Sequence, residues 1–257
     1  MGEKIRVTVW NEFVDEFRHP EVFDMYPGGI HEYIASYLKE QGDLEVRTAT
    51  FQEEAFGIPD EVLDNTDVLI VYSHMKQGIV SEDRIQKLTD RVVNEGMGLI
   101  VLHSGLWLNA VKRILGPCNY NGYREIGERE RVWVVNPTHP IAEGLPDHFE
   151  FAHAEVYPEP AVFPEPEDLI FLSWYQGGEA ARSGLTWRRG LGKIFYFSPG
   201  HATFDTLLSP YYKQVVINAI RWAVPKFKPL ASSRGPKCSP IEPMEQVGGK
   251  VEREEEA

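Results

Sequence analysis

The sequence predicts an α/β protein built on a mostly parallel sheet with helices on both faces. Three observations carry this reading. Short β-branched apolar runs alternate with longer amphipathic stretches. The longer stretches place their apolar residues on single helical stripes. No glycine-serine or charge-rich linker divides the 257 residues, so one large core is expected.

The elements follow in order. IRVTVW (5–10) reads as the first strand, and GGIHEYIASYLKEQ (28–41) as a helix with Ile30, Ile34, Tyr37 and Leu38 on one stripe. LEVRTAT (44–50) and DVLIVYSH (67–74) are the next two strands. The helix over 81–95 starts at Ser81, an N-cap residue type, turns Ile85, Leu88 and Val92 inward, and stops before Gly96. GLIVLH (98–103) is a strand, and LNAVKRILG (108–116) a short helix ended by Gly116 and Pro117. Beyond residue 117 the rhythm changes. RVWVV (131–135), LIFLSW (169–174) and KIFYFS (193–198) read as strands, and the proline-rich 156–168 segment as extended loop or edge structure. The last helix is YYKQVVINAIRWAV (211–224). Residues 1–225 thus form the predicted domain. Residues 226–257 form a tail with no core of its own, expected to dock on the body or on a partner subunit, and a homo-oligomer is expected.

The 39 acidic residues outnumber the 26 basic ones, giving a net charge of −13. WRRG (187–190) brings only two arginines together, so neither nucleic acid nor an anionic membrane is an expected partner. Cys118 and Cys238 stand far apart without a CxxC pattern, and the start runs directly into a strand, which favours a cytoplasmic chain with free thiols.

In a parallel sheet, ligands bind beyond the carboxyl ends of the strands. Asn11 and Glu12 follow the first predicted strand, His74 ends the third, His103 and Ser104 the fourth, and His201 follows 193–198. A single histidine is most often a hydrogen-bonded structural residue; three at strand ends point to proton transfer or a divalent ion such as zinc. His74, His103 and His201 are the candidate ligands, although no compact HxxxH or HxH spacing supports them. Glu155 and Glu179, read as lying in loops among prolines and glycines, are the candidate carboxylates. Ser104 stands where hydrolases place a nucleophile, but Leu102-His103-Ser104-Gly105-Leu106 lacks the first glycine of G-x-S-x-G. A capping or ligand-binding serine fits better. Trp107, Trp174 and Tyr175 are candidate stacking surfaces for a sugar ring, or core residues.

Taken together, VTVWNEF, YPGGIHEYIASYL, DVLIVYSH, RVVNEGMGLIVLHSG, REIGERERVWVVNPTHPIAEGLPDHFE, LSWYQGGEAARSG and GKIFYFSPGH resemble the ThuA family of trehalose-utilisation proteins from about residue 6 to 225. Even the tail, PKCSPIEPMEQV, is similar to the family's ending. The resemblance implies a flavodoxin-like three-layer α/β/α sandwich similar to class I glutamine amidotransferases. It places His103 and Ser104 at the elbow where those enzymes carry a cysteine, and His201 where they carry a histidine. Cys118 lies beyond the following helix, so glutaminase chemistry is not expected. The implied role is in carbohydrate metabolism, on trehalose-like disaccharides or their 3-keto derivatives. His103, His201, His74 and Glu155 would act by acid-base or metal-assisted chemistry, with Asn11, Glu12, Ser104, Trp107 and Glu179 in contact with substrate. The alternatives are a non-catalytic sugar-binding or regulatory protein, and an esterase or amidase using Ser104. Three positions depart from the family pattern: Gln77 and Leu106 replace histidines, and Tyr123 replaces a tryptophan.

Overall fold

The computed structural model describes residues 3–226, so the tail and Cys238 lie outside the described residues. In chain order the elements are β1 (Ile5–Asn11), α1 (Asp15–Arg18), α2 (Pro20–Met25), α3 (Ile30–Lys39), β2 (Leu44–Thr50), α4 (Asp60–Asp64), β3 (Val68–Tyr72), α5 (Glu82–Val93), β4 (Gly98–Leu102) and α6 (Asn109–Leu115). After them come β5 (Asn119–Tyr120), β6 (Arg124–Val134), β7 (His148–Val156), β8 (Ala161–Val162), β9 (Asp168–Tyr175), β10 (Ala180–Arg189), β11 (Gly192–Phe197) and α7 (Pro210–Ala223).

Nine strands form one sheet in the order β2-β1-β3-β4-β11-β10-β9-β6-β7. The first five are parallel, the flavodoxin-type arrangement. Residues alternate strictly between two cores. Val7, Val9, Ile70, Tyr72, Ile100, Leu102, Phe195 and Phe197 face α3 and α7. Leu69, Val71, Leu99, Val101, Ile194 and Tyr196 face α4, α5 and α6. The result is the expected three-layer sandwich.

The other four strands are antiparallel. The gaps between β6 and β7, and from β9 through β10 to β11, hold no crossover helix, and without one neighbouring strands must reverse direction. Sequence reading left 180–189 and 148–156 without strands, and both are strands. It also missed α1, α2 and α4, each six residues or fewer, too short for a periodic signal. Ser81 takes the N-cap position of α5, but its hydroxyl donates to Asp83 at 2.6 Å instead of capping a backbone N–H.

The β6–β7 hairpin shapes the site. β6 pairs with β9 only over Glu130–Val134, so residues 124–129 and their β7 partners overhang the end of β9. Two register shifts break the β6–β7 ladder in this overhang, and bulges of this kind bend and twist a hairpin. Within the first shift, Gly127 takes φ +70°, and a Cβ there would stand 3.1 Å from the Phe204 ring. The bent hairpin thereby brings Glu155 over the carboxyl ends of β4 and β11.

Phe171 is fully buried against Phe149, Phe195 and Phe197, where the parallel and antiparallel halves share a core. Phe171→Ala is expected to lower unfolding stability by about 3–5 kcal/mol, measured by urea denaturation.

Candidate functional site

β4 ends at Leu102, and the chain turns sharply through His103–Trp107. His103 adopts φ +50°, a left-handed conformation that costs a non-glycine residue energy. The strained position of this elbow is therefore held by His103, not Ser104. Gly105 lets the turn press against β3, since a Cβ there would lie 3.0 Å from the Val71 carbonyl.

His103 Nδ1 lies 2.8 Å from the Ser198 carbonyl, which can only accept, so Nδ1 carries the proton. Nε2 faces the Tyr157 hydroxyl at 3.2 Å and Glu155 Oε2 at 3.0 Å. Tyr157 also meets Ser104 Oγ at 3.1 Å, which leaves Ser104 fully buried in a hydrogen-bonded pair. Glu155 lies in β7, not in the loop expected from its prolines.

His74, after β3, holds Nδ1 3.1 Å from both Asp15 oxygens. His201, after β11, sets Nδ1 2.9 Å from Thr203 Oγ1, while its buried Nε2 has no hydrogen-bond partner. The three rings converge, with centroids 4.7 Å apart for His74 and His201, 5.4 Å for His103 and His201, and 6.0 Å for His74 and His103.

Each group has its own electrostatic setting. Burial alone would raise the Glu155 carboxyl, but the contacts of His103, with His201 and Tyr157, outweigh it and hold the pKa below the ordinary carboxylate value. Burial would lower His74, yet its hydrogen bond and attraction to Asp15 leave it above the ordinary histidine value. Burial, reinforced by the neighbouring imidazoles, pushes His201 down to about 3, so its ring is neutral at physiological pH.

Other candidates sit elsewhere in the network. Asn11 donates to Glu16 at 2.7 Å and accepts from the Phe13 amide, fixing the turn after β1. Glu12 is fully committed, accepting from Ser73 Oγ and the amides of Met75 and Lys76, and so shapes the loop that carries His74. Glu179 forms a two-pronged pair with Arg124 that holds it down at about 2. Trp107 packs edge-on against Tyr120 and Tyr157. Tyr175 is buried in the core and Trp174 only partly. Of the divergent positions, Gln77 donates to the His74 carbonyl, Leu106 is buried in the core, and Tyr123 is 72% exposed.

Sequence reading missed Asp15, Tyr157 and Thr203. Tyr157 follows Glu155 by two residues, a signal available once 148–156 is recognised as a strand. A surface hollow of about 470 Å³, lined by Lys193, Asn218 and Trp222, lies at the amino end of β11, opposite the histidines, and contains none of them.

The strand order and the elbow together define a flavodoxin-like α/β protein with a histidine at the turn after its central strand. The chain belongs to the ThuA (trehalose utilisation) family, whose model matches residues 6–223. A ThuA-like protein from Bacteroides uniformis is similar in structure, with TM-score 0.62 and 16% identity over 86% of this chain and 91% of that one. Another from Parabacteroides merdae gives TM-score 0.63 and 14% identity over 90% and 94%. A Salmonella typhimurium protein described as cytoplasmic gives 0.56 and 13% over 86% and 100%. At these identities the likeness is one of fold. No match is found among curated proteins. Among the described residues, no helix is long and apolar enough to cross a membrane.

The two outlying histidines have opposite effects on stability. His74, raised in the folded chain, contributes stability below the ordinary value of 6.5 that is lost as pH rises through its folded pKa. At His201 the unfolded chain takes up a proton between pH 6.5 and about 3 that the folded chain refuses, so stability falls as pH falls across that window. The slope is up to about 1.4 kcal/mol per pH unit. Urea unfolding from pH 7 to 4 is expected to show a shallower loss for His201→Gln than for the wild type. Parallel curves would mean that the folded chain protonates His201 readily.

Proposed function

We propose that this chain processes a sugar-like small molecule, a trehalose-like disaccharide or its 3-keto derivative, by acid-base or metal-assisted chemistry at the carboxyl ends of β3, β4 and β11. The observation that carries this reading is the buried contact between His103 Nε2 and Glu155 Oε2 at 3.0 Å, flanked by His74 and His201. A buried carboxylate kept ionised by its imidazole neighbours is in the form that can accept a proton from a bound substrate.

In a ketosugar, the carbon next to the carbonyl bears a removable proton. Glu155, or the pair it forms with His103, accepts that proton, and negative charge moves to the carbonyl oxygen. His201, neutral at physiological pH, is an N–H donor for that oxygen, and His74, whose pKa Asp15 raises, adds positive potential when protonated. Returning the proton elsewhere isomerises the sugar; expelling a substituent from the next carbon cleaves it. Ser104 has no such part, because its hydroxyl is tied to Tyr157 and no imidazole nitrogen bonds to it among the described residues.

A thermal-shift screen against disaccharides and their 3-keto forms identifies the substrate class, and turnover of the best ligand tests the roles. Glu155→Gln is expected to lower kcat by about 10²–10⁴ while ligand binding persists. His103→Ala is expected to lose turnover to a similar degree. Unchanged turnover in both variants would refute the assignment.

A further inference from the structure

We infer that His74, His103 and His201 hold one divalent cation, zinc by its chemistry, through their Nε2 atoms, with the Glu155 carboxylate beside it. One ring nitrogen from each histidine lies within 4.8 Å of the other two. Their arrangement matches what a metal demands of its ligands. Metal-bound imidazoles use one nitrogen on the ion and spend the other on a carboxylate, carbonyl or similar outer partner. Here Nδ1 of His74 faces Asp15, Nδ1 of His103 faces the Ser198 carbonyl, and Nδ1 of His201 faces Thr203 Oγ1. All three keep Nε2 for the interior of the cluster.

A second observation is independent of this pattern. With Nδ1 spent on the Ser198 carbonyl, His103 turns Nε2 to Glu155 Oε2 3.0 Å away, a pair that can share either a proton or a cation. Neither Glu155 Oε2 nor His201 Nε2, both buried, has an aligned hydrogen-bond partner. Unpartnered buried polar atoms are costly, and a cation at the centre of the cluster would satisfy both, with the His201 proton moved to Nδ1 to face Thr203 Oγ1. Among the described residues, neither Asp15 nor Glu155 pairs with lysine or arginine, and their ion pairs are with His74 and His103. Three imidazole nitrogens suit zinc, whereas magnesium and calcium take oxygen ligands.

Glu125, Glu155 and His201 form a competing set, but Glu125 is exposed and its Oε1 accepts from Thr203 Oγ1. The imidazole set has two of its three members buried and an outer partner for each. This inference rests on the proposed carbohydrate chemistry only for its use: the cation would polarise the sugar carbonyl, His103 would serve as ligand, and proton transfer would fall to Glu155.

The test uses the full chain stripped with a chelator and titrated with zinc in a calorimeter, without sugar. One equivalent per chain is expected, with a rise in thermal midpoint. His74→Gln and His201→Gln should abolish it, and Asp15→Asn should weaken binding about 10–100-fold. Glu125→Gln should bind as the wild type does. Circular dichroism verifies folding, and His74→Gln, at the most exposed of the three, carries the test if a buried variant fails to fold. No stoichiometric binding by the stripped wild type, or undiminished binding by folded His74→Gln, overturns the inference. Loss of binding in Glu125→Gln with retention in His74→Gln assigns the ion to the carboxylate set and also overturns it. Zinc binding without turnover of any sugar would sink the proposed function and leave the metal site standing; sugar turnover by a chain that binds no zinc would do the reverse.

Discussion

The hydrogen bond from His103 Nδ1 to the Ser198 carbonyl is the interaction on which the site depends. It joins the ends of two adjacent parallel strands, β4 and β11, and because a carbonyl cannot donate, it fixes the imidazole tautomer. Nε2 is thereby aimed at Glu155. The left-handed backbone at His103 costs about 1–3 kcal/mol, which this bond and the packing of the 103–107 turn offset. The reactive nitrogen is thus positioned by backbone, the least adjustable part of the fold.

Parallel strands alone deliver side chains from one side of a site. The carboxylate comes from β7, the last strand of the antiparallel wing and five strands away from β4 in the sheet. A flat sheet would hold Glu155 far from His103. The bulged, glycine-hinged overhang of β6–β7 closes that distance, and Tyr157 follows Glu155 into the same cluster. The wing is therefore part of the site.

Much of the parallel half was legible in the sequence, because strands buried on both faces are continuous apolar runs and their ends are marked by abrupt polarity, as in LIVLHS and FYFSPGH. The wing was less legible. In HFEFAHAEV, Phe149 and Phe151 alternate with exposed residues, but Ala152 and His153 are both exposed and Ala154, Glu155 and Val156 are all buried. The register shift breaks the period-two pattern at the point where the strand becomes functional, and local sequence records no such shift. Asp15 was hidden for another reason: an acid on a four-residue helix is normally solvated, and only the three-dimensional approach of His74 shows that it is buried. Asn11 and Glu12 were visible as polar residues at a strand end, yet Asn11 bonds within the turn after β1 and Glu12 to the 73–76 loop.

The balance of charge at the site follows from these placements. Glu12 is buried with three donors from the 73–76 loop, and Glu16 accepts from Asn11 and the Ile30 amide, so both are satisfied locally. Asp15 and Glu155 have no such backbone cradle, and each depends on an imidazole. A buried carboxylate must be compensated, and these two can be compensated only by protons on histidine or by a cation held among the same nitrogens. Protons and metal therefore compete for one set of lone pairs. His201 resists protonation chiefly because it is buried and further because His103 and His74 crowd it, and the neutral imidazole is the form that binds a metal. With three imidazoles around two uncradled carboxylates, protonation and the binding of a cation would be coupled in a single cluster.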